Sequence, residues 1–267
     1  MKIFFSESKS DYARYLYQYV VWAVPEPGEV PADLFNAGFL PSAAGLKQFC
    51  LCRNVRVELA KFSPSSENRR ILRKGAGLAM KLVPRAEFDF SSARKEFYLQ
   101  YAEVRYGQGI MPAARLELVF NSPVCTHLLV FTDEQTGAEV GTAVLYLEGT
   151  RLAFYRYSFY DLKHPNRSLG LFLMTSAVEF FAAGGYRHLY LGTCYSERAL
   201  YKTQFAGVEF FNGCRWSQNL AELKFLLQRE KMADAKHLLE TENYRVDFHD
   251  GALENIFSTG GLYVKTP

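Results

Sequence analysis

The order of apolar and polar positions changes character along the chain. Residues 12–24 (YARYLYQYVVWAV) form an aromatic, β-prone stretch, and Pro25, Pro27 and Gly28 close it as a turn. After a loop-rich passage, residues 55–59 (VRVEL) alternate apolar and charged side chains, the period of a half-buried strand. Residues 61–74 (KFSPSSENRRILRK) predict a helix with Ser63 or Ser65 at its N-cap and Pro64 near its first turn. Gly75 and Gly77 end it, and Ser91 or Ser92 opens a second helix that runs to Gly107. From residue 127 the pattern changes. The apolar runs 127–131, 140–147 and 151–161, separated by short turns, predict an antiparallel meander of three strands. The run 169–183 (LGLFLMTSAVEFFAA) predicts a helix closed by Gly184 and Gly185. A strand over 186–192, a short helix around 198–205 and a strand near 208–211 follow. The segment 219–240 carries apolar residues at helical spacing with charges opposite.

This order is neither a regular β–α alternation nor an all-β pattern. A meander followed by a helical crossover predicts an α+β chain: a mixed β-sheet flanked by helices, as in the acetyltransferase-like (GNAT) fold. In that fold the sheet splays beside the crossover helix and the acyl donor sits in the split. The expected organisation is a small amino-terminal subdomain with a basic helix at 1–77, a GNAT-like domain at 78–218 and a helical tail at 219–267, packed on that domain or extending it.

Composition adds little until charge is located. The chain has 267 residues, half of them hydrophobic, and a net charge of +3. That is an ordinary balance for a chain that buries a core. Residues 47–74, however, carry eight cationic side chains against two acidic ones, so the remainder is net negative. A polyanion such as RNA would meet that block through Arg53, Arg56, Arg69, Arg70, Arg73 and Lys74. A solvated helix face would carry the same charges. The five cysteines (50, 52, 125, 194 and 214) are odd in number and scattered, and no apolar leader precedes them. They predict reduced thiols in the cytoplasm. Neither they nor the five histidines have metal-ligand spacing, so no metal is expected. No run of apolar residues is long enough to predict a membrane span.

Two local patterns point to chemistry. Arg167, Ser168, Leu169 and Gly170 lie where a loop enters a helix, and the unpaired amides of a helix start bind anions. Acetyltransferases of this fold hold a pyrophosphate at an Arg/Gln-x-x-Gly-x-Gly/Ala loop there. Phe172 stands where that pattern has a small residue. The alternative is an ordinary helix start capped by Ser168. The second pattern is the aromatic strand. Alternation places Tyr155, Tyr157 and Phe159 on one face and Arg156, Ser158 and Tyr160 on the other, with Asp161 at the end. A Tyr beside a donor carbonyl can donate a hydrogen bond, and a carboxylate can accept a proton from an attacking amine. An aromatic core with a strand-end Asp would look the same.

Four stretches, taken in order, resemble the arginyl- and leucyl-tRNA–protein transferases, whose carboxyl half is GNAT-like. They are CLCRNVRVELAKFSPSSENRRILRK (50–74), FYLQYAEVRYGQGIM (97–111), FYDLKHPNRSLG (159–170) and LYLGTCYSERALYKTQFAGVEFF (189–211). Tyr106 stands where the family has His, and the early cysteines of the family are missing, the first being Cys50. The resemblance implies transfer of an amino acid from aminoacyl-tRNA, as co-substrate, to the amine of an acceptor protein's N-terminus. That is protein arginylation or its leucyl counterpart in the N-degron pathway. It implies catalytic roles for Tyr157, Asp161 and Lys202, substrate or donor contacts from Arg167, Ser168, Leu169, Gly170, Tyr190, Gly192 and Tyr201, and tRNA contact by 50–74. The alternatives on the same fold are an N-acyltransferase that uses acetyl-CoA or another acyl-CoA, and a catalytically idle relative that binds RNA or protein.

Overall fold

The computed structural model describes residues 1–7, 19–42, 45–163, 168–229, 238–252 and 255. Four short strands, β1 (Lys2–Glu7), β2 (Tyr19–Val24), β3 (Phe39–Pro41) and β4 (Phe49–Leu51), form a small antiparallel sheet in the order β1-β2-β4-β3. Helix α1 (Pro31–Asn36) lies between β2 and β3 in sequence. Its Phe35 joins Phe39 and Phe49 in an aromatic cluster that rests on Tyr146, Phe154 and Tyr190 of the larger sheet. Buried aromatic pairs of this kind add to the area they remove from water.

The larger sheet has two halves. Strands β6 (Leu78–Pro84), β7 (His127–Asp133), β8 (Glu139–Glu148) and β9 (Leu152–Tyr160) are antiparallel neighbours, and the last three are the predicted meander. Strands β10 (His188–Thr193), β5 (Asn54–Glu58), β11 (Val208–Phe211) and β12 (Trp216–Ser217) make the second antiparallel half. The halves meet where β9 and β10 pair in parallel, so the order is β12-β11-β5-β10-β9-β8-β7-β6. Helix α5 (Leu169–Ala183) makes the crossover between β9 and β10, the connection a parallel pair requires. This mixed sheet with its crossover helix is the expected GNAT fold. Strand β5, drawn from the first 77 residues, hydrogen-bonds between β10 and β11.

Helices cover both faces. Helix α2 (Ser66–Lys74), α5 and α6 (Leu220–Arg229) share one apolar cluster through Ile71, Leu173, Ala177, Leu223 and Leu227. Helices α3 (Ser92–Tyr106) and α4 (Ala113–Asn121) pack on the opposite face through Tyr98, Tyr101, Leu116 and Phe120. Ser65, not Ser63, caps α2. The Asn68 amide donates to Ser65 Oγ at 3.1 Å, and the Ser65 amide donates to Asn68 Oδ1 at 3.1 Å. Helix α7 (Glu242–His249) is anchored through Glu222, which is 2% exposed. That carboxylate accepts from Asn212 and Tyr244 at 2.8 Å each and from Ser217 at 2.7 Å.

One expected feature is corrected. Val144 pairs with Tyr157 and Leu145 with Tyr155, so Arg156 is an extra residue in β9. A bulge of one residue reverses the alternation beyond it. Tyr155 therefore packs in the cluster with α5, whereas Tyr157 and Phe159 pack with α3 and α4.

His188 on β10 is 5% exposed. Burial, then the charges of Arg56 and Arg187, push its pKa down to about 4 from 6.5. The unfolded chain thus takes up a proton near pH 6.5 that the folded chain refuses until about pH 4. Stability is whole above about pH 6.5 and falls as pH drops toward about 4, at up to ~1.4 kcal/mol per pH unit from this group. Urea unfolding between pH 7 and 4.5 should show a shallower loss for His188→Gln than for the parent chain.

Candidate active site

Strands β9 and β10 pair for three residues, Leu152–Phe154 with His188–Tyr190, and then part. Past that point β9 follows β8 and β10 follows β5. Each has an irregularity beside the parting: Arg156 in β9, and a register shift between Tyr190 and Gly192 in β10. Bulges bend and twist a strand, and here they flank an opening within the sheet. Gly192, at φ +78°, takes a backbone conformation that favours glycine.

Two cavities border the opening. The larger, about 1010 Å³, is lined from β9 and its end by Ser158, Tyr160 and Asp161 and from the start of α5 by Ser168, Leu169 and Gly170. Tyr101, Arg105 and Tyr106 close it from α3, and Arg198, Tyr201 and Lys202 from the 3-10 turn Glu197–Thr203. The smaller, about 480 Å³, lies toward α4 and holds Arg115, Arg156, Tyr157 and Gly192. Lys202 lines both.

Among the described residues the larger cavity is cationic, with Arg105, Arg198 and Lys202 against the one lining carboxylate of Asp161. Burial raises the pKa of the Tyr101, Tyr106 and Tyr201 phenols, so they stay protonated near neutral pH. The Tyr106 hydroxyl donates to the Ser158 carbonyl at 3.3 Å. Arg105 is a cation at neutral pH, its pKa raised still further above the usual arginine value. Lys202 Nζ donates to the Thr193 carbonyl at 2.8 Å, and burial lowers its pKa from the usual lysine value. Asp161 Oδ1 accepts from the Lys163 amide at 2.8 Å.

The start of α5 differs from a capped helix. Ser168 is left-handed, at φ 49° and ψ 45°, and its side chain makes no cap hydrogen bond. Its Oγ instead accepts from Lys74 Nζ at 3.1 Å. The positive end of the helix thus faces the cavity without a side-chain cap, the arrangement that attracts anions. Phe172 lies outside the cavity lining. It packs against Phe131, with ring centroids 5.8 Å apart, and over Gly75.

The remaining expected site residues are placed as follows. Tyr190 is 1% exposed, packed among Phe35, His188 and Trp216 in neither cavity. Arg167 lies outside the described residues. Arg56 is 8% exposed, paired with Glu209 at 2.8 Å and stacked 3.8 Å from the Trp216 ring. Arg53 stacks 5.0 Å from the Tyr195 ring. Arg69, Arg70 and Arg73 are exposed on α2, Arg70 in an ion pair with Glu67. Reasoning from sequence missed Arg105 and Arg198 in the larger cavity and Arg115 in the smaller, and it placed Tyr160 on the aromatic strand without giving it a role. For Arg105 and Tyr160 the signal was their place at the ends of an expected helix and strand.

Among the described residues no cluster of His, Cys, Asp and Glu could hold a metal ion. Burial pushes the Cys52 thiol up to about 12 and Cys125 to about 11, so neither is a thiolate near neutral pH. No described helix is long and apolar enough to cross a membrane.

A split mixed sheet with a crossover helix starting at the split places the chain in the GNAT-like fold class. Sequence relatives narrow this. The aspartate/glutamate leucyltransferase of Marinobacter nauticus is 33% identical over 172 residues, 62% of this chain and 70% of that one. The same-named protein of Pseudomonas aeruginosa (strain LESB58) is 30% identical over 204 residues, 72% of this chain and 84% of that one. The chain belongs to the aspartate/glutamate leucyltransferase family. No protein-family model matches it. Among solved structures, a GCN5-related N-acetyltransferase from Sphaerobacter thermophilus aligns with a TM-score of 0.33 and 13% identity, over 60% of this chain and 45% of that one.

A Cβ at Gly170 would lie 2.6 Å from Tyr160 Oη and 2.7 Å from its Cζ. Gly170→Ala should therefore cost about 1–3 kcal/mol by overpacking. Tyr160→Ser in the same chain should recover part of that loss, as read by chemical denaturation.

Proposed function

We propose that this chain transfers an amino acid from aminoacyl-tRNA to the N-terminal amine of an acceptor protein. The relatives' name supports leucine, rather than arginine, as the amino acid moved and an N-terminal aspartate or glutamate as the acceptor. One observation in the molecule carries the reading: the contact between Lys74 and Ser168. It makes the basic face of α2 continuous with the mouth of the larger cavity. A tRNA backbone on Arg69, Arg73 and Lys74 would thus deliver its 3′ end to the start of α5. The added residue would mark the acceptor for degradation in an N-degron pathway, in the cytoplasm.

The chemistry asks for positioning more than activation, because the ester is already reactive. A neutral amine attacks the ester carbonyl, a C–N bond forms, and the bond to the ribose oxygen breaks. Asp161, in the larger cavity, takes the proton that the amine loses. The ribose oxygen leaves by taking that proton from Asp161, which restores the carboxylate. Lys202, reaching both cavities, offers N–H donors to the oxygen on which negative charge develops. Ser168, Leu169, Gly170 and Tyr201 border the donor, while Tyr157 and Gly192 face the acceptor side.

Radiolabelled leucine supplied on tRNA tests the reading. Labelled product on a peptide beginning with Asp or Glu is the expected result. Tight acetyl-CoA binding by calorimetry, without tRNA-dependent product, would sink it. Lys202→Ala and Asp161→Asn should each lower kcat by about 10²–10³-fold. Because burial lowers the Lys202 pKa, activity should fall at alkaline pH with an inflection below 10.5. That inflection should disappear from the Lys202→Ala profile.

The α2 surface generates a separate expectation. Arg73→Ala and Lys74→Ala should weaken tRNA binding, and each should reduce the slope of log affinity against log salt by about 1. Filter binding between 50 and 200 mM salt, about the range over which such contacts are lost, measures it.

A further inference from the structure

The smaller cavity has an unusual charge balance. Arg115, Arg156 and Lys202 line it, and among the described residues no aspartate or glutamate does. None of the three forms an ion pair among the described residues. Arg156 donates to Ser122 Oγ at 3.1 Å and Arg115 to the Ile110 carbonyl at 2.9 Å, both neutral acceptors. Arg156 is half-buried, and it is the bulge residue that interrupts β9. Burial, and also the charge of Arg115, work against its cation. A guanidinium withdrawn from water without a carboxylate is costly, and an anionic ligand would relieve that cost.

We propose that the smaller cavity is the acceptor subsite, in which Arg156 and Arg115 bind the side-chain carboxylate of an acidic N-terminal residue. The inference rests on the transfer reading above for which substrate enters from this side. The cavity suits one side chain. About 480 Å³ holds a residue but not a nucleotide chain, and Leu40, Leu118 and Phe154 supply apolar walls for the methylenes of Asp or Glu. With no acid among the described lining residues, none of them holds the peptide's α-ammonium in its charged form. The field of three cations favours the neutral amine that the reaction needs. Lys202 lines this cavity and the larger one, so an amine attached to a residue anchored on the arginines would lie toward the junction.

The test is peptide binding without tRNA. Fluorescein-labelled peptides that begin with Asp or with Asn are titrated with the full chain and followed by polarisation. The Asp peptide should bind at least about tenfold tighter, and Arg115→Gln and Arg156→Met should each close that gap while leucyl-tRNA affinity stays within about twofold. Arg115 is exposed, so its variant reports even where Arg156→Met fails to fold. Equal affinity for the two peptides overturns the inference. So do arginine variants that keep the Asp preference but lose tRNA affinity, which would assign these cations to RNA phosphate. Arginine-dependent Asp binding with no product from any charged tRNA would support the subsite while removing the proposed donor. Transfer from leucyl-tRNA that ignores both the acceptor's charge and the arginines would do the reverse.

Discussion

Two strands that pair for three residues and then separate set the terms for the rest of this molecule. A parallel pair is ordinarily continuous, and interrupting one exposes backbone groups that need other partners. Strand β9 stays bonded to β8 and β10 to β5, so the sheet divides without either half losing its own ladder. The irregularity at Arg156 is part of the same device. It reverses the facing of the side chains beyond it and sends Tyr157 toward α4, while Ser158 and Tyr160 reach the larger cavity. A site with two mouths follows from one extra residue in one strand.

The fold was largely legible in the sequence because its strongest signals are local. The meander, the crossover helix with its glycine stop and the capped α2 each follow from short-range pattern, and each lies within a few residues of its expected limits. Strand β6 and helix α4 were missed. Strand β6 follows directly on Gly75 and Gly77, which read as a boundary, and α4 has a proline as its N-cap where a Ser, Thr, Asp or Asn would have signalled a start. The bulge was illegible for a different reason. Alternation assumes one residue opposite one residue, and nothing in FYRYSFY says which position lacks a partner.

The site was legible in part. Ser168, Gly170, Asp161, Tyr201 and Lys202 share the larger cavity, although they come from separate segments. Arg105 and Arg198, which share it too, were missed because which face of a helix meets a cavity depends on tertiary packing. Charge was the least reliable guide. Arg56 belongs to the same basic run as Arg73, yet it is committed to Glu209, Asn36 and Trp216 inside the protein. A cluster in sequence became an internal structural cation and an exposed face in space. The difference was set by strand against helix, not by the residue type.

The packing of Phe172 over Gly75 links positions that sequence order keeps far apart. An added Cβ at residue 75 would come within 1.9 Å of the Phe172 ring. The two positions therefore behave as a lock and its keyhole of complementary size. A relative with a small residue at 172 has room for a side chain at 75, whereas one that keeps the aromatic ring is bound to glycine there. A side chain at 75 alone would meet the ring, whereas loss of the ring alone would leave a cavity between the two helices. The helix that carries the basic face and the helix that opens on the cavity are in this way held in one register by a single ring.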